Sequence, residues 1–108
     1  MNLVRKGKVK EVYEDTAGSL RFVFTDQISV FDKVIPTLIP FKGETLNRTS
    51  AHWFNIVEEM GLLTHFLDMP SPNEMRVKRV EVISDYSKMD ICTKGYLIPV
   101  EFICRHYV

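Results

Sequence analysis

One segment of the chain, residues 45–60, has both the spacing and the length of an amphipathic helix. Its apolar residues recur every three to four positions, as they do along one side of an α-helix. They are Leu46, Trp53, Phe54, Val57 and Met60. Thr45 can act as the N-cap, and Gly61 stands where a glycine is favoured after the last turn. We therefore predict one main helix, which needs a partner layer to cover its apolar side.

The other patterned segments are typical of β-strands, because they are rich in Val, Ile, Phe and Tyr or alternate polar with apolar residues. They are residues 9–13, 20–25, 75–83 and 97–107. Turn residues at 15–19 predict a hairpin between the first two strands. Residues 26–40 are loop-like, and Pro-Ser-Pro-Asn at 70–73 predicts a break. The order β-β-loop-α-β-β predicts an α+β fold, in which an antiparallel sheet carries one main packed helix.

The last predicted strand carries two charged residues on one face, Glu101 and Arg105. They would lie about 13 Å apart along the strand, too far for an ion pair but suited to holding two ends of one polar ligand. The side chains predicted to face a core are Val100, Phe102 and Cys104. The sequence stops after this strand without a turn or a polar tail, so we interpret its end as a cut within a longer protein.

Composition and charge exclude several classes of function. A chain of 108 residues forms one domain at most, and its 14 basic and 14 acidic residues cancel, so the net charge predicts no attraction to nucleic acid or to an anionic membrane. We find neither a signal peptide nor an apolar run near the roughly 20 residues that cross a bilayer. Cys92 and Cys104 lack metal-binding spacing and are predicted to be reduced thiols. These features predict a cytoplasmic protein.

A glycine turn with two lysines leads into the first predicted strand, in Gly7-Lys8-Val9-Lys10-Glu11-Val12-Tyr13. Lys8 and Lys10 are one strand period apart and are predicted to project from the same face. Glycine lets backbone N–H groups approach a phosphate, and two lysines would neutralise its charge. Alternatively, these are the solvated lysines of an edge strand, which discourage aggregation. The residue types alone leave both interpretations open.

Three further charged residues also have a functional and a structural interpretation. Asp26 and Asp32 flank a short apolar loop segment, where carboxylates near a lysine pair can hold Mg²⁺ or orient a substrate amine. Such aspartates also cap turns through their own backbone. Lys78 can reach a nucleotide lying against the sheet, or it can be one of the alternating charges of a half-exposed strand.

Four segments, taken together and in this order, resemble one enzyme family. They are Gly7-Lys8-Val9-Lys10-Glu11-Val12-Tyr13, Thr25-Asp26-Gln27-Ile28-Ser29-Val30-Phe31-Asp32, Lys42-Gly43-Glu44-Thr45-Leu46 leading into Trp53-Phe54, and Ile98-Pro99-Val100-Glu101-Phe102-Ile103-Cys104-Arg105. The last is similar to the family's P-V-E-x-I-x-R pattern and is the most specific. The chain thus resembles the N-terminal part of phosphoribosylaminoimidazole-succinocarboxamide synthase, or SAICAR synthetase.

This resemblance implies an ATP-dependent ligase of de novo purine biosynthesis. The family joins L-aspartate to carboxyaminoimidazole ribonucleotide through an activated carboxylate, while ATP is cleaved to ADP and phosphate in the presence of Mg²⁺. The implied fold is a small antiparallel sheet with a helix, akin to the small lobe of protein kinases. The implied partners are these small molecules, and a homo-oligomer is also compatible with the resemblance.

The resemblance also implies roles for individual residues. Those implied in ATP binding are Gly7, Lys8, Val9, Lys10, Val12, Lys78, Glu81 and Val82, of which the first four form a phosphate loop and the others the wall and edge of an adenine pocket. Glu101 is implied as a catalytic carboxylate near the substrate and the metal, and Asp32 as a catalytic, substrate-side aspartate. Arg105 is implied in holding the ribonucleotide.

Two alternatives to a ligase remain open at this point. One is a standalone nucleotide-binding module without catalysis, and the other is a structural domain whose lysines are merely solvated. If the resemblance holds, residues 1–108 are the ATP-binding subdomain of a longer enzyme whose C-terminal portion is absent. We then expect these residues alone to be inactive, because a two-sided active site needs its other wall.

Overall fold

Five antiparallel strands form the main sheet in the computed structural model, which describes residues 2–16, 18–83, 85–98 and 100–107. The strands are β1 (Asn2–Lys6), β2 (Lys10–Glu14), β3 (Ser19–Phe24), β6 (Phe66–Ser71) and β7 (Glu74–Lys78), in the spatial order β1-β2-β3-β7-β6. A separate small ladder joins β4 (Ser29–Val30) to β5 (Lys33–Val34). The helix α1 spans Lys42–Glu59, and a short 3₁₀ helix spans Tyr86–Lys88. The predicted α+β architecture is confirmed.

The core lies between α1 and one half of the sheet. Ala51 of the helix and Met75 and Val77 of β7 are buried there, because alternate residues of a strand face the same side. Partly buried apolar side chains surround them, namely Leu20, Phe22, Phe24, Phe54 and Phe66. The helix contacts β3, β6 and β7. It therefore covers the half of the sheet that ends at β6.

The helix begins three residues before the predicted start, and Thr45 is not its N-cap. Phe41 occupies the cap position with a positive φ and makes no capping bond through its side chain. The Thr45 hydroxyl instead donates to the Phe41 carbonyl oxygen at 2.8 Å, one turn back. The first turn is capped from a distant loop, since the backbone N–H of Gly43 donates to the Asp26 Oδ1 atom at 2.9 Å. A cap 17 positions away in sequence gives no local signal.

The predicted helix end is confirmed at Gly61, which has a φ of 91°. Its N–H donates to the Glu58 carbonyl oxygen, and the N–H of Leu62 donates to that of Val57, the two bonds of a Schellman motif. The predicted apolar stripe is only partly buried, because Trp53 is 59% exposed. The buried positions of α1 are instead Gly43, Asn47 and Ala51, which form a stripe next to the predicted one.

Two strands of the sheet were not predicted. β1 is a basic, fully exposed strand that pairs with β2 on one side only, so it has no apolar alternation to reveal it. β6 contains Pro70, and its register with β7 is irregular. Proline is tolerated there because β6 is an edge strand, whose outer N–H groups need no partner. The predicted break at 70–73 therefore overlaps the end of β6 and the turn into β7.

The predicted final strand is wrong for residues 100–107, which have no regular secondary structure; Pro99 lies outside the described residues. Among the described residues, the last backbone pairing with the rest of the chain is that of Tyr96 and Leu97 with Glu81. Phe102 is 79% exposed, and Cys104 is exposed rather than a core residue. A strand needs a neighbour to bind its backbone and cover its apolar face. The described residues provide none here, so the 13 Å separation of Glu101 and Arg105 no longer has a basis.

The turn between β6 and β7 is tied to the helix by one side chain. Asn47 is fully buried, and its amide nitrogen donates to the carbonyl oxygens of Ser71, Pro72 and Glu74 at 3.3, 2.8 and 2.9 Å. We expect Asn47→Ala to lower the free energy of unfolding by about 2–3 kcal/mol, because it leaves buried acceptors without a donor and opens a cavity. Chemical denaturation monitored by circular dichroism measures the effect.

The matched control is Asn55→Ala, which changes the same residue type on the exposed side of α1. We expect its denaturation midpoint to remain within the range of ordinary surface substitutions, about 0.5 kcal/mol. Equal midpoints for the two variants would show that Asn47 does not hold the turn.

Within the described residues, no helix combines the length and the hydrophobicity that a membrane span requires.

Candidate functional site

The helix leaves half of one sheet face open. Among the described residues, α1 makes no contact with β1 or β2. The strand register places Val12 of β2 opposite Phe22 of β3, and Phe22 lies on the side of the core. The uncovered part of the helix-bearing face is therefore formed by β1, β2 and the adjacent edge of β3.

A groove of about 330 Å³ lies at one end of this open area. It is lined by Arg5, Gly7, Lys8, Val9, Lys10 and Val12, so the structure brings five of the predicted ATP-binding residues together. The turn between β1 and β2 is closed by the Gly7 N–H, which donates to the Lys10 carbonyl oxygen at 2.8 Å. Three of the six lining residues are cations and none is an acid, which suits the groove to an anion such as a phosphate.

Lys10 is a partly buried cation that has no acidic partner in the part of the chain that the structure describes. It forms no ion pair within the described residues, and its ammonium nitrogen lies 4.2 Å from the centre of the Phe22 ring. Burial lowers the pKa of Lys10 below its ordinary value, and the neighbouring Arg5 lowers it further. Two adjacent cations without a counter-charge favour the binding of an anion between them.

Lys8 and Asp32, two of the predicted site residues, are in direct contact. The Lys8 Nζ atom donates to Asp32 Oδ1 at 2.6 Å, and this hydrogen bond lowers the pKa of Asp32. Asp32 lies at the tip of the β4–β5 hairpin, where Phe31 and Asp32 both have a positive φ. Both charged groups remain accessible to water, so an anion entering the groove can compete with Asp32 for Lys8.

Of the two interpretations considered for Asp26, the observed contacts are those of the structural one. Besides capping α1, its carbonyl oxygen accepts from the N–H of Ile39 at 2.9 Å, and Lys42 Nζ donates to the Gln27 carbonyl oxygen at 2.9 Å. These bonds fasten both ends of the segment that carries the β4–β5 hairpin. The position of Asp32 near Lys8 therefore depends on Asp26 and on the start of α1.

A larger groove of about 600 Å³ lies at the other end of the open area. It is lined by Val4, Gly18, Leu20, Arg79, Val80, Glu81, Val82 and Gly95, which include the predicted residues Glu81 and Val82. Glu81 is held by two backbone bonds of 2.8 Å, from its N–H to the Gly95 oxygen and from the Leu97 N–H to its own oxygen. The lining is mainly apolar and suits a flat, apolar group.

The two grooves face the same side of the sheet. Lys10 of the basic groove pairs with Phe24 of β3. Leu20 of the larger groove lies four residues away on the same strand, so the two grooves are about 13 Å apart along it. An extended nucleoside triphosphate can bridge this distance, with its phosphates at the basic end and its base at the apolar end.

Besides Asp32, three predicted site residues line neither of the two grooves. Lys78 pairs with Ser19, five residues along β3 from the partner of Lys10, or about 17 Å. It lines a separate groove beside the end of α1, together with Glu58 and Gly61. Glu101 and Arg105 are exposed in the irregular C-terminal segment. The described contacts do not join these three residues to the basic groove.

Ligands for magnesium do not converge among the described residues, where no group of three or more His, Cys, Asp and Glu side chains could hold a metal ion. The exposed position of Glu101 gives it no second carboxylate there. Proteins commonly hold Mg²⁺ by one or two carboxylates together with substrate phosphates. A carboxylate of these residues would therefore need a bound triphosphate to complete a Mg²⁺ site, and we derive no chemical step from a metal.

Sequence reasoning missed two residues of the basic groove and its floor, Arg5 and Phe22. Arg5 belongs to β1, where it pairs with Val12, and its role could have been found only by recognising that exposed strand. Phe22 was assigned simply to an alternating strand. The pairing of β2 with β3 brings it under Lys10, and the hairpin prediction contained the signal needed to find this.

Comparison with known proteins shows relatives over almost the whole chain. The family model described as SAICAR synthetase matches residues 3–108. The phosphoribosylaminoimidazole-succinocarboxamide synthase of Thermoplasma acidophilum is 48% identical over 108 residues, which are 100% of this chain and 35% of that protein. The enzyme of the same name from Coprothermobacter proteolyticus is 35% identical over 108 residues, which are 99% of this chain and 39% of that protein. The chain therefore spans little more than a third of the length of these relatives.

Solved structures show the same fold. The SAICAR synthase of Saccharomyces cerevisiae, solved in complex with SAICAR, has a TM-score of 0.68 at 28% identity, over 75% of this chain and 34% of that one. A SAICAR synthetase solved in complex with ADP has a TM-score of 0.65 at 24% identity, over 89% of this chain and 46% of that one.

Proposed function

The chain belongs to the SAICAR synthetase family, and from that premise we propose that it is the N-terminal, ATP-binding part of a purine-biosynthesis ligase. The ligase joins L-aspartate to carboxyaminoimidazole ribonucleotide and cleaves ATP to ADP and phosphate. Its site of action is the cytoplasm, and its partners are these small molecules. In this proposal residues 1–108 are the nucleotide-binding wall of an active site whose other wall lies elsewhere in the enzyme.

One observation carries the proposal, namely the open face of β1 and β2 with a basic groove at one end and an apolar groove at the other. The triphosphate lies at Gly7–Lys10, where Lys8, Lys10 and Arg5 supply positive charge. The base lies against Leu20 and the backbone of 79–82. The yeast relative binds SAICAR, which is the product of the proposed reaction.

The proposed chemistry is activation of a carboxylate. The carboxylate of the ribonucleotide attacks the γ-phosphorus of ATP, so that a C–O–P link forms and ADP leaves. The amine of L-aspartate then attacks the acyl carbon, loses a proton and expels phosphate. Lys10 and Arg5 contribute by offsetting charge on the phosphates, because the transferred group and the leaving group are both anionic.

The roles of the substrate-side residues rest on the family resemblance. Glu101 and Asp32 are proposed to act in catalysis, Glu101 also to bind Mg²⁺, and Arg105 to hold the ribonucleotide. Lys78 is proposed at the adenine pocket together with Val12, Glu81 and Val82. These assignments require residues 100–107 to adopt a defined conformation against the missing wall.

Calorimetric titration of the 108-residue chain with ATP tests the proposal. We expect saturable binding that weakens as the salt concentration rises, because the phosphates bind to cations in an accessible groove. Tripolyphosphate and adenosine are expected to bind more weakly than ATP, since each occupies only one of the two grooves.

Absence of binding heat up to millimolar ATP, with the chain folded, would contradict the proposal. A second assay follows ADP release after addition of Mg²⁺, L-aspartate and the ribonucleotide. We expect no substrate-dependent release from this chain alone, because the second wall is required. Turnover at a rate typical of an enzyme would show that residues 1–108 are sufficient.

A further inference from the structure

The position of the Lys10 ammonium is set by an aromatic ring rather than by a carboxylate. Its Nζ atom lies 4.2 Å from the centre of the Phe22 ring, within the range of about 6 Å in which a cation is attracted to a ring face. Lys10 pairs with Phe24, so Phe22 is its diagonal neighbour on the same face of the β2–β3 ladder. Within the described residues, no acid competes with the ring for this ammonium group.

The Phe22 ring is itself held in place by its packing against the core. Phe22 packs against the buried cluster of Ala51, Met75 and Val77, and its strand is bonded to β2 on one side and β7 on the other. The centre of the His65 ring lies 6.3 Å from that of the Phe22 ring. On its other contact, the His65 ring lies 5.3 Å, centre to centre, from the ring of Phe54 in α1. A flexible lysine side chain is therefore placed over a ring that the core immobilises.

We propose that Phe22 is a positioning residue for the nucleotide phosphates, which it serves through Lys10 and without contact of its own. The ring keeps the ammonium group in the basic groove in the absence of ligand. A free lysine side chain loses rotamer entropy when it is fixed. Contact with the ring takes up part of this entropic cost before the nucleotide binds. This inference rests on the proposed function, because the anion that benefits is the triphosphate of ATP.

The first measurement needs no ligand. Protons above a ring face resonate upfield, so we expect the ε-methylene protons of Lys10 to be shifted upfield in the NMR spectrum of the folded chain. Phe22→Leu should remove the shift, and Phe22→Tyr, which retains the ring, should preserve it. An unshifted Lys10 signal in the unmodified chain would overturn the proposal, whatever the stability of the variants.

The second measurement compares ATP affinity. We expect Phe22→Leu to weaken binding about twofold to fivefold, which corresponds to the loss of an exposed to partly exposed cation–π contact. Phe22→Tyr should bind ATP within twofold of the unmodified chain. In a chain that already carries Lys10→Met, Phe22→Leu should have no further effect, because there is no ammonium left to position.

Each remaining outcome has a distinct meaning. Unchanged ATP affinity in Phe22→Leu, or an equal loss in the Lys10→Met background, would overturn the positioning role and leave the proposed function intact. An upfield-shifted Lys10 in a chain that binds no ATP would overturn both, since no phosphate would then benefit from the ring.

Discussion

Replacing Gly43 by alanine is expected to lower the free energy of unfolding by about 3 kcal/mol, the upper part of the range for overpacked sites. A Cβ atom at this position would lie 2.3 Å from the Phe24 carbonyl oxygen and 2.9 Å from that of Thr25. Both contacts are with backbone, so no side chain can turn aside. The first turn of α1 must then move away from β3, and the bond from Gly43 to Asp26 is stretched or lost. Urea denaturation measures the change.

The control for Gly43→Ala is Thr49→Ala on the exposed side of α1. Alanine is the better helix former of that pair, so we expect its stability to be equal or slightly higher. If Gly43→Ala behaves in the same way, the close approach of α1 to the end of β3 does not exist in solution.

Replacing Lys10 by methionine is expected to weaken ATP binding about 10- to 150-fold, the factor that corresponds to one hydrogen bond to a charged group. The same change should leave the free energy of unfolding equal or higher. The lowered pKa of Lys10 shows that burial and Arg5 disfavour its charged form, and methionine removes that charge while filling similar volume. Affinity is thus lost without a loss of stability, which separates a binding role from a structural one. Calorimetry with ATP and urea denaturation provide the two values.

Lys88→Met serves as the control, since Lys88 is an exposed lysine of the 3₁₀ helix and lines neither groove. We expect ATP affinity within twofold of the unmodified chain. Equal losses in the two variants would assign the effect to net charge alone and remove Lys10 from the site.

The fold class could be predicted because its main signals are local. The period of α1, the hairpin of β2 and β3 and the glycine that ends the helix are each contained in one short segment. The signals that failed depend on distant residues. Asp26 caps α1 from 17 positions away, and a strand such as residues 97–107 forms only when a neighbour is present to pair with it.

The basic groove could also be predicted in part, because a glycine and two lysines are contiguous in sequence. Their surroundings could not. Arg5 joins the groove through the pairing of β1 with β2, and Lys8 contacts Asp32 across 24 positions through the β4–β5 hairpin. Lys78 was assigned to the adenine pocket by resemblance. The register of β7 puts it opposite Ser19, one residue before Arg79 of the larger groove, and its role there is still a prediction. The roles of Glu101, Arg105 and Asp32 stay predictions.

The pairing of β3 with β7 has a consequence for how the chain is made. β3 ends at Phe24, but β7, its neighbour on one side, begins only at Glu74. That side of β3 therefore stays unpaired until about fifty more residues have been synthesised. The β2–β3 hairpin, which carries Lys8, Lys10 and Phe22, can form early because its contacts are local. Met75 and Val77, which complete the core beneath it, are synthesised last among these elements. During synthesis the basic groove therefore takes shape before the core that steadies it, and the unpaired edge of β3 is the surface most exposed to misassociation.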